Sequence, residues 1–233
     1  MDITVQKDIS LPEKIILSFI TIATLGSMAT SYIAHDYFMS VLVTEDGLIE
    51  WLTVVGLATT SVVCVYRAIQ LRGSRPRLFL TMTLLLGLVF LFGAGEEISW
   101  GQRIFNTQSS EFFQQHNAQG ETNLHNLIVG GKKLNKIIFG IGLHLALLIY
   151  LLALVPMYKR KPVLKRFLDR FAVPIAKPYQ VVSYLVVLIV IQVLMDDSKR
   201  GELAEFAGSF LFLLNIAFPY NKEIFVSEDS MVG

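Results

Sequence analysis

The chain has a single cysteine, Cys64, and little charge: Asp, Glu, Lys and Arg make up 17% of its 233 residues. One cysteine can form no internal disulfide, and Cys64 sits inside an apolar run as a small buried hydrophobe would. The charged fraction is well below the roughly 25% of soluble domains. Net charge is only +1, which leaves no bulk electrostatic case for nucleic acid as a partner. Also lacking is a short apolar core with a small-residue cleavage signal behind residues 1–12, so the first apolar segment is expected to act as an uncleaved signal.

What the chain has instead is hydrophobicity, at 53% of residues, gathered into blocks. A membrane-crossing helix needs about 20 mostly apolar residues. Six blocks approach that length: residues 14–38, 48–69, 78–100, 134–157, 179–195 and 203–218. The expected fold is all-α, a polytopic transmembrane helix bundle of about six spans forming one integral membrane domain over residues 1–233. The last two blocks are short, and 203–218 could instead dip into the membrane and return.

Basic residues set orientation. Arg67, Arg72, Arg75 and Arg77 follow the second block, and Lys159, Arg160, Lys161, Lys165, Arg166, Arg170 and Lys177 follow the fourth. Both loops, and with them both termini, are expected on the cytoplasmic side of a bacterial inner membrane. The opposite side then receives Asp36, Glu45, Asp46, Glu50, Glu96, Glu97, Glu111, Glu121, Asp196, Asp197, Glu202 and Glu205, which is 12 of the 19 acids. The orientation rule concerns Lys and Arg and says little about acids, so this gathering is an independent observation. Residues 162–177 read as a basic amphipathic helix on the anionic inner leaflet. Residues 101–133 form a loop too long for a turn. Its apolar pairs Ile104-Phe105 and Phe112-Phe113 predict one or two short interfacial helices capping the bundle.

Acids at the ends of apolar spans are expensive and need a reason. Glu96 and Glu97 close the third block, about 100° apart on a helix, so one of them is expected to face the interior, with Arg103 or Lys132 as an ion-pair partner. Glu50 opens the second block and Glu205 the sixth, each in a run of small residue, apolar residue, acid and aromatic. In the run Gln119-Gly120-Glu121-Thr122-Asn123-Leu124-His125-Asn126, a helix over Asn123–Ile128 would put Glu121 and His125 on one face, able to share a metal or act as an acid/base pair. Trp100 reads as an interfacial anchor, Gln102 and Arg103 as groups that orient a carboxylate or bind an anionic headgroup. His144 is expected at mid-span facing the interior.

The blocks Glu45-Asp46-Gly47…Glu50, Gly95-Glu96-Glu97-Ile98-Ser99-Trp100-Gly101-Gln102-Arg103 and Gln119-Gly120-Glu121-Thr122-Asn123-Leu124-His125-Asn126 resemble a family of uncharacterised bacterial integral membrane proteins. The likeness runs from about residue 45 to 127 and implies a multi-pass bacterial membrane protein without implying an activity. There is a fainter likeness to ceramidase-like membrane hydrolases, which hold zinc with an acidic motif and three histidines. Here no histidine follows His144, and the final block offers Glu202 and Glu205 instead.

Three readings compete. In the first the protein is a metal-dependent hydrolase or transferase acting on a lipid or lipid-linked substrate. Glu97, Glu121 and His125 would then be catalytic, with Glu50, Glu97, His125 and Glu205 around a divalent zinc, manganese, iron or magnesium ion and Arg103, Gln102 and Trp100 on the substrate. In the second it is a non-catalytic sensor or assembly subunit, for example in stress or phage defence. In the third it is a cation- or proton-coupled transporter. Expected partners are membrane lipids and either a second copy or another membrane protein.

Overall fold

The computed structural model describes residues 9–133 and 142–227. Apolar segments become helices where the sequence supplies a start and a stop. Helix α1, Leu11–Ile33, opens where the amide and hydroxyl of Ser10 donate to Glu13 Oε2 at 3.0 and 2.6 Å. Helix α2, Leu48–Gln70, follows Gly47, and α3, Arg77–Glu97, follows Pro76. A short helix α4, Glu111–His116, lies in the loop after α3, and a two-residue hairpin pairs Ile128–Val129 with Lys132–Lys133. Helix α5, Leu143–Arg160, includes a π-helical stretch at Tyr150–Leu154. Helices α6, Pro162–Arg170, and α7, Pro178–Leu194, each begin on proline, whose fixed φ and missing N–H suit a first helical position. Helix α8, Arg200–Ala217, completes the bundle.

Four of these helices, α1, α2, α3 and α5, are long and apolar enough to cross a membrane, and α7 is a shorter apolar helix. The chain is therefore an all-α transmembrane bundle. Helix α8 carries Glu202 and Glu205 yet is its most buried element, with Leu203, Phe206, Ala207, Leu211 and Leu214 nearly inaccessible. It packs against α2, α7 and α1, so the charged end of α8 is carried to one face of the molecule along with the start of α2 and the end of α3. We call this the acidic face. The basic face, opposite, holds the start of α1, the α2–α3 loop, α6 and the end of α8. There Arg67 donates to the carbonyls of Ile216 and, at 2.8 Å, Ala217, meeting the negative end of the α8 dipole.

Several boundaries differ from the sequence reading. The first span ends at Ile33, and His35–Leu42 turns separately, whereas it was expected to continue to Phe38. The third span stops at Glu97 rather than Trp100, because Ser99 and Trp100 take left-handed backbone angles that no α-helix continues through. The basic amphipathic helix stops at Arg170, and the chain runs on to Lys177 largely extended. His144 lies exposed on the second residue of α5, not in the interior. The start expected for the fourth span, residues 134–141, lies outside the described residues.

Helix α2 meets α8 at Gly56, where a Cβ would stand 2.4 Å from Ser209 Oγ and 3.0 Å from Ser209 Cβ. Gly26 of α1 has nothing within 4 Å of the same position. Gly56→Val is expected to lower stability by about 1–3 kcal/mol through overpacking. Gly26→Ala should leave it unchanged or slightly raised. Thermal unfolding of both variants in detergent checks this, and equal behaviour would refute a close α2–α8 contact.

Candidate functional site

The end of α3 shapes the acidic face. Ser99, Trp100 and Gly101 take φ values of 46°, 55° and 77° in succession and turn the chain back over its own helix. The Trp100 ring then lies on Gly95, where a Cβ would come within 2.9 Å of Cε3, so the small residue at position 95 is what admits the ring. The indole N–H donates to Glu96 Oε1 at 2.8 Å, and Phe92 meets the ring edge-on at 5.6 Å. Glu96 is buried, and its other oxygen accepts the backbone amides of Leu124 at 2.6 Å and His125 at 2.9 Å. A carboxylate accepting three donors can remain charged without a cation.

Arg103 stands next in this turn and gathers three acids. Its Nε lies 2.8 Å from Asp46 Oδ2, its Nη2 donates to Glu50 Oε1 at 2.8 Å, and its Nη1 donates to Glu121 Oε1 at 2.5 Å. Partial burial works against the guanidinium charge, but Asp46, Glu121 and Glu50 outweigh it and hold its pKa above the ordinary value. The second oxygen of Glu121 accepts Ser99 Oγ at 2.5 Å and Asn123 Nδ2 at 3.3 Å. Gln102 Oε1 accepts Ser109 Oγ at 2.9 Å and the Thr122 amide at 2.7 Å. Asn117 donates to both the carbonyl and side chain of Asn123 at 2.9 Å, while its own Oδ1 accepts the Gln119 amide at 2.8 Å. The two polar runs, 95–103 and 117–126, are thus the two halves of one hydrogen-bonded unit that fastens the loop over the helix ends.

The expected helix over Asn123–Ile128 is corrected by the structure. Asn123–Asn126 form a turn, and Leu127 bridges back to Asn117, so Glu121 and His125 do not share a helix face. Glu121 points to Ser99 and Arg103, whereas His125 lies on the side of Glu202 and Glu96. Desolvation pushes the His125 imidazole below its ordinary pKa, against the opposing pull of those two acids, and a neutral imidazole is the form that ligates metal.

The remaining acids meet beneath this cap. Glu97 and Glu205 are half-buried. Glu97 feels the charges of Glu205, Glu202, Glu50 and Glu96, and Glu205 those of Glu202, Lys199 and Glu50. Among the described residues, Glu97 and Glu205 form no hydrogen bond or ion pair of their own. The expected ion pair of Glu97 with Arg103 is replaced by the three partners above. Lys199 pairs with Glu202 at 3.2 Å. Of the four expected metal ligands, Glu50 is committed to Arg103 and the Asp46 amide, Glu97 and Glu205 lie within each other's field, and His125 lies near Glu202 and Glu96. Among the described residues no three His, Cys, Asp or Glu side chains converge into a ready metal-ligating group.

Sequence reasoning passed over Asp46 as an arm of the site, and Asn117 and Asn123 as its struts; the signal was present in the density of amides in 114–126, a composition no plain membrane loop requires. Comparison with protein-family models, with curated proteins and with solved structures finds no match to this chain.

Removing an ion-pair partner strands the charges it held, less severely where water reaches them, as it reaches Arg103 and Asp46. Arg103→Met is expected to lower stability by about 1–3 kcal/mol and to speed amide exchange across residues 101–127. An exchange pattern in that loop identical to wild type would overturn the assignment of Arg103 as its fastener.

Proposed function

We propose that this chain is a multi-pass membrane protein that binds a hard divalent cation between Glu97 and Glu205 and acts as a non-catalytic sensor or assembly subunit. The observation that carries this is an imbalance of charge. Among the described residues, Arg103 and Lys199 are the cations that ion-pair on the acidic face, and both are already committed, to Asp46, Glu50 and Glu121 and to Glu202. Glu97 and Glu205, both half-buried, are left within reach of one another's charge. Like charges so close, at the edge of a low-dielectric layer, call for a counter-ion.

The donor set selects the ion. Two carboxylates suit magnesium or manganese, which keep part of their hydration shell and bind through one or two acids. Zinc would ask for more nitrogen or sulfur. Glu97 closes α3 and Glu205 stands in the first turns of α8, beside the start of α2, so an ion held between them would bear on the packing of these helices, as a sensor requires. Glu121 and Arg103, which a hydrolase would need for catalysis and substrate, are tied into the fastening of the loop, and this favours binding over turnover. A lipid hydrolase or transferase is the second reading, supported by His125, whose imidazole desolvation keeps toward neutral beside Glu202 and Glu96. The likeness to bacterial membrane proteins, with Arg67, Arg72, Arg75 and Arg77 on one loop, supports a bacterial inner membrane with the basic face and both termini in the cytoplasm.

A ligand that binds only the folded state raises its stability, by about 2.7 kcal/mol at a hundredfold excess over Kd. Manganese or magnesium should therefore raise the melting temperature of purified wild type and bind near-stoichiometrically in calorimetry. Glu97→Gln and Glu205→Gln should each abolish both effects, and Glu111→Gln, on the exposed α4, should abolish neither. No binding by folded wild type, or equal binding by all variants, would sink the proposal. Hydrolysis of a lipid analogue that tracks metal loading would favour the enzyme instead.

A further inference from the structure

On the basic half of the bundle, α1 and α7 stand apart and leave a lateral cavity of about 210 Å³. Its floor is Ile20 of α1 and Leu211 of α8, each 1% exposed. Its rims are Leu17 and Thr21 of α1 and Val182 and Val186 of α7, the two valines being 58% and 50% exposed. A buried floor between open rims makes a groove that faces sideways, and for helices that cross a membrane sideways means hydrocarbon. The Thr21 hydroxyl makes no polar demand on an occupant, because it donates to the Leu17 carbonyl at 2.8 Å within its own helix.

The end of this groove nearest the basic face is closed by a staple. Glu13, 2% exposed, accepts Lys177 Nζ at 2.5 Å and the Tyr179 hydroxyl at 2.6 Å, which ties the first turn of α1 to the start of α7. Lys14, exposed beside the staple, precedes Leu17 by three residues and Thr21 by seven and so lies on the same stripe of α1. At about 1.5 Å per residue it stands roughly 10 Å from Thr21 along the helix axis, at the level where headgroup phosphates meet the hydrocarbon. The lining is aliphatic apart from Thr21 and Ser183, so water finds few partners there, and an empty groove forfeits dispersion contacts along its lining. Hydrocarbon is what remains to fill it, and Lys14 supplies the complementary charge for a phosphate above it.

We propose that this groove is a specific phospholipid site: one acyl chain from the leaflet on the basic face lies over Ile20 and Leu211 between α1 and α7, and Lys14 holds its phosphate. The proposal is independent of the proposed cation site at Glu97 and Glu205, which lies on the opposite face. Native mass spectrometry after mild delipidation and titration with a single-species phosphatidylglycerol tests it. Wild type should carry one tightly retained lipid. Val186→Trp, which fills the groove from its open rim, should lower retention at least tenfold, and Val182→Trp should act likewise should the first variant fold poorly. Lys14→Glu should weaken retention, and Val62→Trp, on the 65% exposed face of α2, should leave it at the wild-type level. Absence of a retained lipid in wild type, or equal retention in wild type and a folded groove-filled variant, would overturn the acyl-chain site. Unchanged retention in Lys14→Glu would overturn the headgroup contact.

Discussion

The acidic face is organised around one guanidinium. Arg103 reaches Asp46 ahead of α2 and Glu50 in its first turn, and it reaches Glu121 in the loop more than seventy residues later; beside it, Gln119 donates to Glu45 at 2.5 Å across the same two segments. Arginine can do this because its five N–H donors are fixed in a plane and its charge does not leave it at any ordinary pH. A lysine has the charge without the fork. Everything near Arg103 serves to aim it: the left-handed turn at Ser99–Gly101 puts it over the helix ends, Gly95 admits the Trp100 ring that braces that turn, and Gln102 pins the adjacent chain to Thr122.

The bundle beneath explains why such a fastening is needed. Helix α8 is the packing centre, yet it begins with charged residues that the membrane interior would reject. Carrying that end to the surface brings Glu202 and Glu205 against Glu97, and it also gathers negative charge where α2 and α3 terminate. A covering loop held there only by apolar contacts would be opposed by the repulsion below it. Hydrogen bonds from the loop's own amides to Glu96, and the Arg103 fork, turn part of that negative charge into the attachment.

Much of this was legible in the chain. Length and apolarity of the blocks gave the bundle, since a helix must satisfy its own backbone in hydrocarbon. The side on which acids gather followed from Arg and Lys, and those acidic helix ends do meet. What was not legible is which way each acid points. Glu121 and His125 have a helical spacing, but Asn117 and Asn123 bond to each other and to the local backbone, and this side-chain competition favours a turn over a helix. The left-handed angles at Ser99 and Trp100 carry no marker in residue type, unlike Gly101, so the third span read three residues too long. For Glu13 the local spacing Ser10-x-x-Glu13 marks a helix start, but its burial and ion pair were not legible, because Lys177 and Tyr179 are distant in sequence.

Glu13 also sharpens what is unusual about the opposite face. It is an acid almost fully buried at a span end, and the chain meets it with Lys177, Tyr179 and Ser10. That is the solution expected when a buried charge serves only to join two helices. Glu96 is met in a different but equally complete way, by the Trp100 indole and two backbone amides. Glu50 and Glu121 share Arg103. Against these four, Glu97 and Glu205 accept no hydrogen bond among the described residues and lie in a field dominated by other acids, the one opposing charge near Glu205 being Lys199, which is paired to Glu202. Within one structure, then, the buried carboxylates that fasten helices are matched donor by donor, whereas half-buried Glu97 and Glu205 lie together without donors of their own among the described residues. A pair left in that condition is stabilised by positive charge placed between its members, and the Arg103 fork holds the helix ends on which the two acids stand.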